Sequence, residues 1–435
     1  MELLLQYCWK HRLLPLKGGL QTTDGRSVEI IDPGLLNRDS GPDFFNAKVR
    51  IDGEMWVGNV EIHTNSQDWY NHRHDRDAAY DNVILHVVEN ANREDVLTQE
   101  GRRLPQLIIS VPQNVAENYR ELLSVDAYPP CYKIIPNVPK LMAHSWMAAL
   151  QTERLQRKTE DIMQRVKLYS GDWERAYFIT LARSYGFGTN GDAFEQWAQN
   201  LPLMAAAHHR DDLFQIEALF IGQAGLLNVA AVPERMQLEV AADEYFQRMQ
   251  NEYAFLKNKF RLEPIHPRCW KFLRMRPQNF PHIRLAQLAR LYHEGRTSLS
   301  RLLECDSLDK LRELLSCGVS EYWENHYSFG HESRRSTKQL STASLNVLMI
   351  NTAIPVLFAY GRISGKESLC QLAFDLLEGL KPEDNNITRM WKEVGLDVKT
   401  AGDSQALIQL KKQYCDRKDC LRCRFGYEYM KKGKA

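Results

Sequence analysis

Before residue 130, apolar and polar residues alternate in five short runs: Ser27 to Ile31, Phe45 to Ile51, Trp56 to His63, Asn82 to Val88 and Leu107 to Val111. Alternation with a period of two predicts strands, and the nearly unbroken apolar run from Val83 to Val88 predicts one buried on both faces. Asp32-Pro33-Gly34, Ser40-Gly41-Pro42 and Asp52-Gly53 fall between runs and carry turn chemistry. Past Pro129-Pro130 and the stretch from Pro136 to Pro139, the apolar spacing becomes three and four, as in Trp146, Met147, Leu150 and Leu155, which predicts helices. The opening run MELLLQYCWKHRLLPL fits an amphipathic helix. The pattern predicts an α+β domain over residues 1–130, followed by a mostly α-helical domain over residues 131–435 that ends in a cysteine cluster.

Composition refines this picture in two places. A chain of 435 residues exceeds one ordinary core, which agrees with two domains. With 56 Lys and Arg against 55 Asp and Glu, the overall field selects no partner, so any charge recognition is local. The nine cysteines are odd in number and mostly scattered, as expected in a reducing compartment. No segment approaches the roughly 20 apolar residues of a membrane span, and the basic residues at the start follow the apolar run instead of preceding it, unlike a secretory leader. A cytoplasmic protein without a membrane partner is expected.

Candidate chemistry concentrates between Asp43 and His86, where four of the 13 histidines lie at or after His63. Asp52-Gly53 predicts a hairpin that brings Asp43 beside Ile62, with Glu61 and His63 sharing one face of the return strand. Which face Asp43 takes depends on the turn length and on a bend at Gly41-Pro42. Two carboxylates with a neighbouring imidazole can hold Mg²⁺ or Mn²⁺, and histidine widens the choice towards Zn²⁺. Lys48 could supply an ammonium group from the first hairpin strand. His72, His74 and Asp75 follow in a turn, as outer partners or as an alternative zinc set with His63. The competing reading is a polar loop that only solvates the chain, with His86, Trp56 and Trp69 serving the core.

Pro42-Asp43, a hairpin, and Glu61-Ile62-His63 resemble the signature of the PD-(D/E)XK nuclease superfamily, with His63 standing where lysine is usual. The resemblance implies a mixed β-sheet and metal-dependent phosphodiester hydrolysis of DNA or RNA by Asp43, Glu61 and His63. It also implies a contribution from an opening-helix carboxylate, here Glu2. The histidine in place of lysine equally fits a non-catalytic nucleic-acid-binding or scaffold protein that keeps the fold. The segments SGPDFFNAKVRIDG, GNVEIHTNSQDW, YDNVILHVV and YCDRKDCLRC resemble an uncharacterised bacterial family, filed as a domain of unknown function, over nearly the whole chain.

Two further stretches carry chemistry. Cys415, Cys420 and Cys423 sit among basic residues at spacings that suit zinc or an iron–sulfur cluster. Only three thiols are local, and Cys131, Cys269, Cys370 and His326 are the candidates for a fourth ligand. Arg268, Lys271, Arg274, Arg276 and Arg284 interleave with Trp270, Phe272 and Phe280 as a nucleic-acid surface would, and Arg334, Arg335 and Lys338 add to it. The same arginines also fit a solvated face. The glycines of FIGQAGLLNVA lack the Gly-Lys-Ser/Thr of a phosphate loop.

Overall fold

The computed structural model describes residues 1–14 and 19–432. Pro15 and Leu16, which end the predicted opening run, lie outside the described residues. The chain forms two compact units. The first comprises residues 1–146, 390–396 and 410–435, and the second comprises residues 147–389 and 397–409.

In the first unit, helix α1 (Glu2–His11) buries Leu4, Leu5, Cys8 and Trp9, a stripe at helical spacing, and stops at Arg12 in the left-handed conformation. The strands are β1 (Leu20–Gln21), β2 (Ser27–Asp32), β3 (Leu35–Leu36), β4 (Phe44–Ile51), β5 (Glu54–Asn65), β6 (Val83–Asn90) and β7 (Gln106–Ile108). All five predicted runs are therefore strands. Their order is β1-β2-β4-β5-β6-β7, with β3 on the end of β4. β2, β4 and β5 pair antiparallel, and β5, β6 and β7 pair parallel, so the sheet is mixed. Asp52 (φ 45°) and Gly53 (φ 84°) form the tight β4–β5 turn, a geometry that favours an Asp-Gly pair. One face of the sheet buries Phe44, Ala47, Val49, Val60, Ile62, Leu85 and Val87 together with Leu5 and Trp9 of α1. Trp69, Tyr80, Val83, Val96 and Leu104 form a smaller second cluster, to which helix α2 (Asp68–Asn71) contributes.

The C-terminal cysteine segment belongs to this first unit, whereas the sequence pattern places it at the end of the helical part. The reason is a long-range cap. Asn118 of helix α3 (Gln113–Ser124) donates to the carbonyls of Tyr429, Met430 and Lys432 at 3.2, 3.2 and 2.9 Å, satisfying the open end of the helix Arg424–Met430.

The second unit is helical apart from the hairpin strands His326–Ser328 and His331–Glu332. Its core is rich in aromatic side chains, including Tyr177, Phe178, Phe194, Trp197, Phe220 and Trp323. Residues Thr342–Ser364 form one helix of 23 residues that is long and apolar enough to cross a membrane by length and composition, with 67% of its apolar window buried in the folded protein. This corrects the expectation that no segment approaches that length. A π turn at Met349–Ala353 interrupts this helix just before Pro355, which has no N–H to give to the regular ladder.

Candidate histidine–carboxylate metal centre

The approach of Asp43 to Glu61 depends on one extra residue in β4. Phe44 pairs with Val60 and Ala47 with Gly58, so three steps on β4 match two on β5. Asn46 takes φ 56° inside this bulge, a conformation asparagine tolerates better than most residues. The bulge keeps Phe44 and Ala47 on the same buried face and turns Asp43 to the Glu61 side. The Asp43 N–H donates to Glu61 Oε2 at 2.9 Å, and Asp43 Oδ2 accepts from the Ile62 N–H at 3.0 Å. Gln6 of α1 donates to Asp43 Oδ1 at 2.8 Å. Both Asp43 oxygens are thus already engaged, and Asp43 holds Glu61 instead of standing free beside it.

Glu61 Oε1 remains for the histidines. It lies 3.4 Å from His63 Nε2 and 3.3 Å from His74 Nε2. His63 Nε2 also lies 3.1 Å from His72 Nδ1. The ligand atoms of His63, His72 and His74 all fall within 4.8 Å of one another. Four donors set tetrahedrally at about 2.0–2.1 Å from one ion stand about 3.3–3.4 Å apart, close to the two carboxylate–imidazole distances and the His63–His72 distance. His72 and His74 converge through a kink and not through strand alternation. α2 ends at His72, Arg73 takes the left-handed conformation at φ 64°, and a single 3₁₀ turn begins at His74.

The surroundings favour neutral imidazoles. His63 is 1% exposed, and burial, reinforced by His74 and His72, pushes it down to about 3. Burial also lowers His74, which stacks on Tyr80 at 3.7 Å, and holds His86 well below the ordinary range. Burial raises both carboxyls. The charge of Glu61 adds to the effect at Asp43, while the Asp43 N–H opposes it at Glu61 and the charge of Glu2 raises both. His63 Nδ1 lies 2.9 Å from His86 Nε2, the outer contact that orients a ligating imidazole. Among the described residues, His74 Nε2 and His86 Nδ1 have no hydrogen-bond partner of ordinary geometry. Neutral imidazole lone pairs, one carboxylate oxygen and an unpartnered buried nitrogen suit a divalent cation of Zn²⁺ or Mn²⁺ type. His72 is exposed, so the cluster opens to solvent on that side.

Several expected residues stand elsewhere. Lys48 pairs with Val57, four residues before Glu61, which puts it about 13 Å along the strand and out of reach. Asp75 faces Arg76, at 3.5 Å, and its charge is felt by His74 without contact. Glu2, half-buried one helical turn before Gln6, acts on the site through its charge. Trp69 is fully buried and donates to the Leu97 carbonyl, a core role as expected. Gln6, and the place of His86 behind His63, carry no local sequence signal.

In the second unit, Arg268, Lys271, Arg274 and Arg276 are exposed on a loop of short 3₁₀ turns anchored by buried Trp270. Arg284 does not belong with them. It is 5% exposed, donates to Gln287 and Asn279 and lies over the Phe187 ring, so it serves the core. Lys338 is likewise internal and donates to the Trp323 and Glu324 carbonyls. Cys415, Cys420 and Cys423 are reduced and belong to the first unit, as does Cys131.

Residues 2–386 match the family described as protein of unknown function, DUF2851, and the chain belongs to that family. The match ends before the C-terminal cysteines. No curated protein and no solved structure matches the chain.

Proposed function

We propose that this DUF2851 protein is a metal-dependent hydrolase whose centre is Glu61, His63, His72 and His74, acting on phosphodiester bonds of nucleic acid. The observation that carries the reading is the placement of Glu61 Oε1 between His63 Nε2 and His74 Nε2, with His72 Nδ1 beside them. The donor set favours Zn²⁺ or Mn²⁺ over Mg²⁺, because imidazole nitrogen suits the borderline ions. A bound ion of this kind lowers the pKa of its water and neutralises charge on a phosphate. Asp43 and Gln6 orient Glu61, and His86 orients His63. The hairpin with Asp43, Glu61 and His63 in a mixed sheet behind an opening helix supports the PD-(D/E)XK-like reading of the fold.

A neighbouring cleft supports an anionic substrate. Lys10, Arg38 and Arg422 line a cavity of about 490 Å³ together with Asp39, Asp43 and Asp419. Arg422 is paired with Asp419 at 3.0 Å, while Lys10 and Arg38 have no ion-pair partner among the described residues. Burial and the charges of Arg38 and Arg422 lower Lys10, so these cations share one field that a phosphate would relieve.

The engaged oxygens of Asp43 favour one rival, a nuclease-like scaffold without activity. The test incubates full-length protein with labelled single- and double-stranded DNA and RNA in Mn²⁺, Zn²⁺ or Mg²⁺. Cleavage that is lost in Glu61→Gln and His63→Ala supports the hydrolase. Absence of cleavage with every ion, in protein that binds the metal, leaves the scaffold.

A further inference from the structure

We propose that Cys131, Cys415, Cys420 and Cys423 form a single tetrathiolate site for a thiophilic metal, a zinc ion or an iron–sulfur cluster, which fastens the C-terminal segment to the N-terminal unit. The sequence leaves the fourth ligand open among Cys131, Cys269, Cys370 and His326. The fold selects Cys131, which shares the first unit with the three C-terminal thiols and is close enough to feel each of them, whereas Cys269, His326 and Cys370 belong to the second unit. Cys131, Cys420 and Cys423 are buried, Cys415 is half-buried, and none forms a disulfide. Four reduced thiols within one unit, close enough to influence one another, are a donor set that zinc and iron–sulfur clusters take.

Independent evidence comes from donors that lack an acceptor. The indole Nε1 of Trp146, 5% exposed, and the hydroxyl of Tyr7, 4% exposed, have no hydrogen-bond partner of ordinary geometry. The Trp146 indole and the N–H groups of Phe425 and Gly426 are directed at Cys423, and Tyr7 lies close enough to feel its charge. A buried N–H or O–H without an acceptor is costly, and a metal-bound thiolate is the acceptor these groups lack. Gly426 is required for the approach, since a Cβ there would collide with the Cys420 carbonyl oxygen.

The site has a structural consequence. Tyr7, His11 and Tyr427 pack in series with tilted rings, Tyr7 to His11 at 4.5 Å and His11 to Tyr427 at 4.8 Å between centroids. The same helix presents Gln6 to Asp43. Filling the thiolate site therefore holds the C-terminal helix against the element that positions Asp43, without adding a ligand to the histidine centre.

The test is metal analysis of full-length protein purified without oxygen. In a His63→Ala background, which removes the histidine centre, one centre per chain is expected: zinc alone identifies a mononuclear site, and iron with acid-labile sulfide identifies a cluster. In that background Cys131→Ser and Cys420→Ser should each lower the content at least fivefold, while Cys8→Ser, a buried thiol of the same unit outside the group, retains it. Because a ligand substitution can also unfold the unit, wild-type protein is alkylated before and after chelation. Cys131, Cys415, Cys420 and Cys423 should become reactive together, with the other five cysteines unchanged. Protein that neither carries nor takes up zinc or iron overturns the proposal, as does a centre that survives Cys131→Ser or four thiols that react independently of chelation.

Discussion

Replacing His86 by phenylalanine tests the metal centre without touching any of its four donors. If His63 Nε2 faces the ion, His63 Nδ1 carries the proton and donates it to His86 Nε2, 2.9 Å away. His86 then holds its own proton on Nδ1, the atom without a partner. Phenylalanine fills nearly the same volume at this fully buried position but accepts nothing. The His63 N–H would be left buried and unpaired, at a cost of about 1–3 kcal/mol. Metal-free protein escapes this cost by moving the His63 proton to Nε2, where His72 Nδ1 lies at 3.1 Å. The penalty therefore falls mainly on the metal-bound state and should weaken Zn²⁺ or Mn²⁺ binding about 10- to 100-fold, the usual effect of losing such an outer contact. The assay is competition of full-length protein against a chromogenic chelator, with circular dichroism to verify the fold. Folded His86→Phe protein with affinity within about twofold of wild type would refute the reasoning, because the contact would then contribute nothing to orienting His63.

Other outcomes follow from the same structure. Gln6→Ala removes the bond to Asp43 Oδ1 and should weaken metal binding less than His86→Phe does, whereas Lys48→Ala should leave it unchanged; the same chelator competition reads both. Arg284→Ala leaves Gln287 and Asn279 oxygens without their donor and a hole against Phe187, and should cost about 2–4 kcal/mol in urea unfolding, while Arg274→Ala costs little. Glu217 is buried in the second unit, and burial raises it from 4.5 to about 7 despite bonds from Tyr245 and Ser320. The folded state therefore binds a proton more tightly than the unfolded chain, so this contribution is full below pH 4.5 and is lost as pH rises through 7. It amounts to about 3 kcal/mol at most, and Glu217→Gln should flatten that decline when unfolding is measured from pH 4.5 to 8.

The strands were legible because period-two alternation and Asp52-Gly53 are local signals. The facing of Asp43 was not, because it depends on a bulge at Phe45-Asn46 that moves the pairing by one residue. A histidine at each of four positions marked the region, but their convergence rests on the left-handed Arg73 and on the parallel register that sets His86 beside Glu61. Gln6 carried no sign of its role, and Cys131 stood undistinguished among four candidates, because both meet their sites through tertiary packing across long separations in sequence. Arg284 shows the reverse failure. A basic and aromatic stretch reads as one surface, yet helical geometry turns its last arginine inward.

The most direct test of the central claim is anomalous diffraction from crystals of the full-length protein grown with Mn²⁺ or Zn²⁺, recorded at the absorption edge of the ion. The account predicts a peak about 2.0–2.2 Å from His63 Nε2, His72 Nδ1, His74 Nε2 and Glu61 Oε1. A crystal saturated with the ion that shows no peak there, with His63 Nε2 still bonded to His72, would contradict it.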